Sequence, residues 1–440
     1  DVDRSRGLGD VYKRQVVITD IVQFFIAMFG SIALAIIALN HVGGMDTLLQ
    51  KLSSLLETDI IHENTLKFIP PIPDNSIGSL SFWESPFSKF LIFITVMWWS
   101  HHGTDGGGYI IQRMSSAKNE KHALLATLWF NLAHYAVRVW PWIIVGVVSI
   151  VMFPVIPDSY SELGTKAGYP LVMNMLLGPG MKGILIVSFL AAFMSTIDTH
   201  LNWGASYIIN DIYKRFFKPN ESEKHYVIVS KVITVILMIL AAFTALKMQS
   251  ISKAWAFIFS MGAGIGLVLI LRWFWWRINA WSEITALSTS IVITILLETL
   301  AWWQVSAKEG VYSLFGTEPV LFGIQIQVHH KLIIIVPIAI LSWLIATFIT
   351  KPEPTEHLRK FYEKVQPGGW WGPITTNFKH TLQPVSEGIL VQWIAGVMMI
   401  YGFTFGIGNL IFMQYGNSIL LLGCAFIGSY IIWNRSISKL

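Results

Sequence analysis

The sequence is poor in charged residues and has almost no cysteine. Aspartate, glutamate, lysine and arginine make up 13% of its 440 residues, about half of the roughly 25% found in ordinary soluble domains. So sparse a charge excludes the usual soluble enzyme or binding module. The single cysteine, Cys424, has no partner for a disulfide within the chain, so the cysteine content says nothing about the redox compartment.

Long apolar runs take the place of the missing charge. Hydrophobic residues make up 54% of the chain, and the mean hydropathy is +0.57. A membrane-crossing helix needs about 20 apolar residues, and the sequence has about ten such runs. The predicted spans cover residues 16–40, 86–112, 122–153, 181–210, 225–247, 252–275, 281–303, 331–350, 386–406 and 416–434. The sequence therefore predicts an all-α polytopic membrane protein.

The net charge of +5 indicates how the protein is oriented in the membrane and does not indicate nucleic-acid binding. If the predicted spans alternate in direction, the lysines and arginines concentrate on one side, which the positive-inside rule makes the cytoplasmic side. The basic pairs on that side include Lys13 and Arg14, Lys118 and Lys121, Lys214 and Arg215, Arg272 and Arg277, and Arg359 and Lys360. We therefore expect a multi-pass protein of the cell (inner or plasma) membrane, embedded in the lipid bilayer, with both ends of this chain in the cytoplasm and no nucleic-acid partner.

Two segments differ from the apolar spans. Residues 1–15 join the first span abruptly and lack a signal-peptide pattern, and we interpret them as a leader that is non-native or out of frame. Residues 16–440 are predicted to form a single, partial transmembrane transporter domain. Within it, the cytoplasmic segment 351–385 has a soluble composition, and an amphipathic helix is predicted between Pro354 and Pro367.

The fourth predicted span carries polar side chains near its middle. A carboxylate such as Asp198 costs roughly 2.5 to 3.5 kcal/mol at the centre of a membrane helix, and such residues usually mark an ion or solute pathway. At 3.6 residues per turn, one stripe of this helix contains Ala192, Ser195, Thr196 and Thr199. Hydroxyl and carbonyl oxygens suit a hard cation. The alternative is that the hydroxyls bond back to carbonyls of their own helix or mediate helix packing.

The second predicted span contains a glycine triplet that should break its helix. Gly106, Gly107 and Gly108 cost roughly 2 to 3 kcal/mol in helix propensity, and backbone groups freed at membrane depth persist where they line a cavity. Transporters place solutes at such breaks. The side chains that we expect to contact a solute or form a gate beside these glycines are Trp99, His101, His102 and Asp105. The alternatives are glycines that serve helix packing, an interfacial tryptophan belt and hydrogen-bonded structural histidines.

Two more charged residues lie within predicted spans. Asp20, near the start of the first span, is either a helix cap that favours the dipole or a station for an ion on the cytoplasmic side. Arg138, near the middle of the third span, must pair or reach water. We predict an internal salt bridge between Arg138 and either Asp105 or Asp198, in preference to a role in substrate binding.

A second glycine-rich stretch, SMGAGIGLV, lies in the sixth predicted span. Its glycines Gly262, Gly264 and Gly266 fall short of a dinucleotide-binding fingerprint because no strand precedes them. Small residues let membrane helices approach closely, so this stretch predicts close helix packing.

Four segments resemble recurring segments of the sodium:solute symporter family, in the same order and spacing. They are VVITDIVQ in the first span, YIIQRMSSAKNEKHA after the second, FLAAFMSTIDTHLNWGASYIINDIYK in the fourth, and the cytoplasmic KPEP stretch that continues as EHLRKFYEKVQPGGWWGP. One such match alone is weak evidence, whereas four in sequence are strong. The resemblance covers nearly everything from Val16 onward.

The resemblance implies the LeuT-like inverted-repeat fold of two five-helix halves, with sodium bound between the first and eighth core helices. The fourth span matches the eighth core helix, so Ser195 and Thr196 would offer sodium their hydroxyls and Ala192 its carbonyl, with Asp198 as a further candidate. Asp20 would act in sodium release toward the cytoplasm. The second span matches the sixth core helix, whose broken middle contributes to the solute cavity and gate.

This sequence departs from the pattern of the family that it resembles in two ways. Nothing in the chain matches the first four core helices, so we expect an N-terminally truncated member that does not transport by itself. Members with a second sodium have a hydroxyl one turn before the Ser-Thr pair, and this sequence has Ala192 there. We therefore expect a single sodium ion.

The function implied for the complete protein is sodium-coupled symport of a small organic solute, first of all a sugar or a similar neutral polar molecule. Three alternatives stay open at this point. They are an amino-acid or organic-acid symporter, a membrane sensory module of symporter-like fold, and a membrane enzyme that uses His101, His102 and Asp105. The enzyme alternative lacks an obvious nucleophile, and we expect no enzyme activity.

Overall fold

Helices make up almost all of the structure. The computed structural model describes residues 2–58, 69–74, 77, 79–248, 251–307, 317–376 and 388–439. In the first part of the chain the α-helices are α1 (Val2–Val42), α2 (Gly44–Glu57), α3 (Leu80–Glu84), α4 (Pro86–Ile92), α5 (Trp98–Ser100), α6 (Gly107–Ser115), α7 (Glu120–Asn131), α8 (Val139–Met152) and α9 (Gly168–Leu176).

The rest of the chain continues the helical pattern and adds one short hairpin. Its α-helices are α10 (Pro179–Tyr207), α11 (Glu223–Lys247), α12 (Ile251–Met261), α13 (Gly266–Phe274), α14 (Ala280–Ser306), α15 (Val328–Ile349), α16 (Thr355–Val365), α17 (Gly372–Thr375), α18 (Ile389–Ile411) and α19 (Tyr415–Arg435). The antiparallel strands β1 (Val320–Leu321) and β2 (Ile324–Gln325) form the hairpin. Both residues of its turn, Phe322 and Gly323, have positive φ, which matches the twist of a two-residue hairpin.

Among the described residues, eight helices are long and apolar enough to cross a membrane. A ninth span results if α12 and α13, which are bent by 43° at the break between them, cross as one. These nine agree with predicted spans. The tenth predicted span, residues 86–112, is divided between short helices on either side of residues 101–106. It is divided because Gly106 and Gly107, the latter the first residue of α6, have positive φ, which the interior of an α-helix does not contain.

The described chain has three π-helical segments: Phe93–Met97 and Leu132–Val137 lie between α-helical stretches, and Ile208–Phe217 continues α10 to its end. The second precedes Pro141, whose ring and missing N–H disturb the turn before it. There the N–H of Arg138 donates to the carbonyl of Ala133, five residues back, at 2.9 Å. π-Turns within α-helices are frequent at functional sites, and the first of these segments lies directly before α5.

The chain divides into two compact units. One comprises Asp1–Thr65, Trp129–Phe243 and Met398–Ile427, and in it α1 packs against α8, α9 and α10. Gly30 allows the approach of α1 to α10, since a Cβ atom at Gly30 would lie 2.7 Å from Cδ1 of the buried Leu185. The first predicted span therefore supports the helix that carries the predicted sodium ligands.

The other unit comprises Leu66–Leu128, Thr244–Val397 and Gly428–Leu440. The pairing of α14 with α15 is the most extensive helix contact in the described structure. A hydrogen bond of 2.7 Å joins the buried hydroxyls of Ser282 and Thr347. Near the other end of α14, Lys331 of α15 donates to Glu298 at 2.8 Å, and both side chains are nearly buried. Separating such pairs would leave buried polar groups without partners, so these contacts favour a single packing arrangement.

The glycines of the SMGAGIGLV stretch lie at close helix contacts, which confirms the packing prediction. A Cβ atom at Gly262 would lie 2.5 Å from Nδ1 of His102. A Cβ atom at Gly266 would overlap the carbonyl oxygen of Trp99 at the end of α5. Gly264 packs in the same way against side chains of α14 and α15. The bent pair α12 and α13 is therefore seated on α5, α14 and α15 by its small residues.

The predicted amphipathic helix between Pro354 and Pro367 is present as α16. Leu358 of α16 is buried together with Trp371 and Ile374, and Phe361 packs against this cluster. The apolar side of α16 is therefore covered within its own unit.

Backbone hydrogen bonds join the segment after α16 to the end of α13. Trp370 donates its N–H to the carbonyl of Phe274 at 2.6 Å, and Trp276 donates to the carbonyl of Trp370 at 3.3 Å. We call these two paired stretches, residues 273–276 and 369–371, the tryptophan clip. The clip fixes the chain directly after α13.

Candidate functional site

The predicted sodium ligands lie on α10, where the hydroxyl of Thr196 is bonded back to its own helix. Thr196 donates from Oγ1 to the carbonyl of Ala192 at 2.9 Å, and Thr199 donates in the same way to the carbonyl of Ser195 at 2.9 Å. Ala192 and Thr196 are exposed, and Ser195 is half-buried. A hydroxyl that donates its proton to a carbonyl keeps its own lone pairs. The back-bond therefore holds the hydroxyl oxygen of Thr196 beside the carbonyl oxygen of Ala192 and leaves the hydroxyl oxygen with its lone pairs.

Asp198 lies off this stripe and has a partner on the next turn. Asn202 donates from Nδ2 to Oδ1 of Asp198 at 2.9 Å. Neighbours four residues apart share a helix face, so the sequence contained the signal for this contact, although Asn202 was not among the predicted site residues. The amide satisfies part of the carboxylate without neutralising its charge.

Asp20, the predicted site of sodium release, lies in α1. Its side chain is outside the described residues, and its role stays a prediction.

The predicted break in the second span is present, and we call residues 101–106 the break. Here α5 ends at Ser100 and α6 begins at Gly107. Turn hydrogen bonds run from Thr104 N–H to the His101 carbonyl at 3.3 Å, and from Gly106 N–H to the Gly103 carbonyl at 3.0 Å.

The three glycines of the triplet adopt two different backbone conformations. The φ angles are 95° at Gly106 and 64° at Gly107, which is the left-handed region that favours glycine. Gly108 has no such φ and lies within α6. Two of the three glycines are therefore required by the turn.

The aromatic side chains around the break hold its shape. His101 accepts the N–H of Gly103 on Nδ1 at 2.8 Å, which corresponds to the structural histidine that the sequence left open. His102 is exposed and lies against Gly262. Trp99 donates its indole N–H to the carbonyl of Thr95 at 2.6 Å. No group of three or more His, Cys, Asp or Glu side chains that could hold a metal ion occurs among the described residues.

Asp105 forms a salt bridge with Arg272, a partner that the sequence did not reveal. Its Oδ1 accepts the N–H of Gly107 at 3.0 Å, and its Oδ2 accepts from Nη2 of Arg272 on α13 at 2.6 Å. The Nη1 atom of Arg272 donates to Oε1 of Glu283 on α14 at 3.1 Å. In the sequence, Arg272 served only as a topology signal, because sequence alone does not show that the end of α13 reaches the break.

The predicted salt bridge of Arg138 is therefore wrong. Asp105 pairs with Arg272, and no ion pair between Arg138 and Asp198 occurs in the described structure. Arg138 instead contacts His134, with Nη2 at 3.3 Å from Nε2. His134 lies four residues earlier in the adjoining π-helical segment, so the arginine is satisfied in part by its own helical neighbour.

Comparison of the sequence with known proteins shows the family of this chain. A family model described as "Sodium:solute symporter family" matches residues 14–309, which is more than half of the chain. The chain belongs to the sodium:solute symporter family. The match includes α10, the break and Arg272.

Several curated proteins are similar to this symporter-family chain. Sodium/glucose cotransporter 4 of Danio rerio is 24% identical over 382 residues, which cover 81% of this chain and 54% of that protein. The osmoregulated proline transporter OpuE of Bacillus subtilis (strain 168) is 24% identical over 310 residues, covering 68% and 55% of the two chains. The sodium/glucose cotransporter of Vibrio parahaemolyticus is 22% identical, covering 70% and 57%. This chain spans about half the length of these relatives.

Family membership confirms the predicted fold class, an all-α polytopic membrane protein with the LeuT-like fold. It also decides against the membrane enzyme as an alternative, because the family and the matched proteins are transporters. Sodium is the coupling ion of this family. The sodium and solute ligands in this chain stay predictions.

The glycine triplet gives a matched test of the break. We expect Gly106→Ala and Gly107→Ala each to destabilise the protein by about 1 to 2 kcal/mol, because a Cβ atom opposes left-handed φ. Gly108→Ala should be neutral or stabilise by up to about 1 kcal/mol through helix propensity. Thermal unfolding of the purified protein in detergent measures all three, and equal effects at the three positions would contradict this account of the break.

Proposed function

We propose that the complete protein is a symporter that uses the inward movement of sodium to take up a small organic solute. The family match over residues 14–309 carries this proposal. The names of the similar proteins support it, since they describe sodium/glucose cotransporters and a proline transporter. Two local features supply the chemistry: an oxygen-lined stripe on α10 and a helix break with polar side chains.

Sodium is proposed to bind the stripe on α10. The ligands would be the carbonyl oxygen of Ala192 and the hydroxyl oxygens of Ser195 and Thr196, which are neutral oxygen donors suited to a hard cation. Asp198 stands off the stripe and accepts from Asn202, so it would contribute through its charge more readily than as a direct ligand. Asp20 is proposed to act in sodium release, as the family resemblance implies.

One sodium ion per cycle supplies enough energy for solute accumulation. A charge that crosses 100 mV releases about 2.3 kcal/mol, and a tenfold sodium gradient adds about 1.4 kcal/mol. Together these sustain a solute gradient on the order of several hundred. The proposed stoichiometry of one follows from Ala192, which has no hydroxyl for a second ion.

The solute is proposed to bind at the break, and the state of Asp105 favours a neutral polar molecule. Both carboxylate oxygens of Asp105 are engaged, one by Gly107 and the other by Arg272. An ammonium group of a solute would have to compete with Arg272 for this carboxylate. Aromatic faces and imidazole edges at Trp99, His101 and His102 suit a sugar or another polyol through stacking and hydrogen bonds.

We place the protein in the cell membrane, surrounded by lipid, with the basic loops on the cytoplasmic side. The positive-inside rule supports this orientation, as does the concentration of lysine and arginine in alternate loops. Both ends of the described chain then face the cytoplasm.

A tag placed after residue 440 should be accessible only in permeabilised cells, and labelling in intact cells would contradict the orientation.

The sodium ligands can be tested with a control from the same helix. We expect Ser195→Ala and Thr196→Ala in the full-length protein to raise the sodium concentration for half-maximal uptake by tenfold or more, which is about 1.4 kcal/mol per variant. Ser206→Ala is the control, since Ser206 is an exposed hydroxyl of α10 that also bonds back to its own helix. Radiolabelled solute uptake at graded sodium concentrations is the measurement. An unchanged sodium dependence in both site variants would remove the proposed site.

The solute class can be tested by ligand-dependent stabilisation. A ligand at 100 times its Kd stabilises the native state by about 2.7 kcal/mol, so a thermal-shift screen with and without sodium detects the solute. We expect the largest sodium-dependent shift with a sugar or polyol. The matched proline transporter supports an amino acid as the second candidate, and a larger shift with proline than with any sugar would establish that candidate in its place.

A further inference from the structure

Arg272 joins three separate elements through one guanidinium group. Its Nη2 contacts Asp105 in the break at 2.6 Å, and its Nη1 contacts Glu283 of α14 at 3.1 Å. The side chain of Asp105 is 9% exposed, whereas Arg272 and Glu283 are 34% and 33% exposed. The planar guanidinium donates in two directions at once, so α13, α14 and the break are tied at a single point.

Asp105 also controls the start of α6. The same carboxylate that binds Arg272 accepts the N–H of Gly107, the first residue of α6, and Gly106 and Gly107 have the left-handed φ values that the break requires. Loss of Arg272 would therefore leave a largely buried carboxylate without its cation at the place where the break is shaped. A change at Arg272 is transmitted directly to the proposed solute site.

The tryptophan clip fixes the chain directly after Arg272. Besides its backbone bonds, the indole of Trp371 donates to the carbonyl of Trp273 at 3.1 Å. Gly369 has a φ of 97°, and a Cβ atom there would lie 2.5 Å from the carbonyl oxygen of Phe274. The backbone that carries Arg272 is therefore held, and only its side chain is free to change partners.

A cavity next to Arg272 offers the side chain a second position. It has a volume of about 370 Å³ and is lined by Arg272 together with aromatic residues of the clip and of α16, among them Trp276, Phe361 and Trp371. Guanidinium groups stack on aromatic faces. The cavity is thus both large enough and chemically suited to receive a guanidinium group.

We propose that Arg272 is a positioning residue that latches the break to α13 and α14, and that it moves from Asp105 into the aromatic cavity when the break rearranges during transport. This inference rests on the proposed function, because the break is the proposed solute site. Arg272 acts through Asp105 and not by contact with the solute. The structure corresponds to the latched state.

The latch can be tested by the accessibility of the break. In the full-length protein with every cysteine, Cys424 among them, replaced by serine, Thr104→Cys places a single thiol in the break. We expect Arg272→Gln to increase the alkylation rate of this thiol fivefold or more and to lower the maximal rate of sodium-dependent uptake tenfold or more. Arg272→Lys, which keeps the charge but loses the fork, should give intermediate values for both. Lys360→Gln is the control, since Lys360 makes an exposed ion pair on α16.

A second variant keeps the test decisive if Arg272→Gln does not fold. Asp105→Asn with Arg272→Gln removes both charges of the buried pair and should show the same rise in alkylation; the carboxylate that then loses its arginine is that of Glu283, which is 33% exposed. Alkylation equal to that of the parent in every folded variant at Arg272 would overturn the latch. Alkylation does not require transport, so absence of sodium-dependent uptake by the parent would count against the proposed function and leave the latch to be judged by alkylation alone.

The aromatic cavity has its own test. Phe361→Leu keeps an apolar contact but removes one aromatic face from the cavity wall. We expect the maximal uptake rate to fall fivefold or more with alkylation of the break unchanged, because the latched state is intact and only the second position of Arg272 is weakened. An uptake rate within twofold of the parent would overturn the cavity as the second position.

Discussion

A carboxylate with only 9% of its surface exposed needs a cation and a hydrogen-bond donor, and Asp105 has both. Its position between α5 and α6 makes this requirement the organising constraint of its unit. Gly106 and Gly107 allow the chain to turn, and Asp105 then accepts one of the backbone groups that the turn frees. Its charge requires Arg272, and Arg272 brings α13 and Glu283 to the same point. The shape of the proposed solute site therefore depends on one charge and its partners.

The helices, the division of residues 86–112 and the packing role of Gly262 and Gly266 were predictable because they depend on local properties. Apolar length identifies a span, glycine propensity identifies a break, and small residues identify a close contact. The partners of charged residues were not predictable in the same way. Arg138 was assigned to Asp105 or Asp198, whereas it contacts His134, since the choice among several charges is made by tertiary structure. The π-helical segments were missed because a shift of one hydrogen-bond register leaves the apolar pattern almost unchanged.

On α10, sequence periodicity placed Ala192, Ser195 and Thr196 on one stripe but left open whether the hydroxyls serve an ion or their own helix. The structure shows the back-bond from Thr196 to Ala192, and this contact makes the two interpretations compatible. A hydroxyl held against a carbonyl has a fixed position, so its oxygen loses little entropy when it binds an ion. The same spacing of four residues pairs Asn202 with Asp198, which shows that helix periodicity alone accounts for much of the local polar network.

The π-helical segment Leu132–Val137 has a consequence for the register of the chain that follows it. A π-turn holds one more residue than an α-turn, and each residue of an α-helix rotates its successors by about 100°. An extra residue in a regular α-helix would turn the face of α8 by more than a quarter of a circle, whereas the wide π-turn takes up that residue within one turn. Trp140, buried against Gly408 of α18, keeps its direction for this reason. The π-turn therefore acts as a phase adjustment between two halves of one membrane crossing.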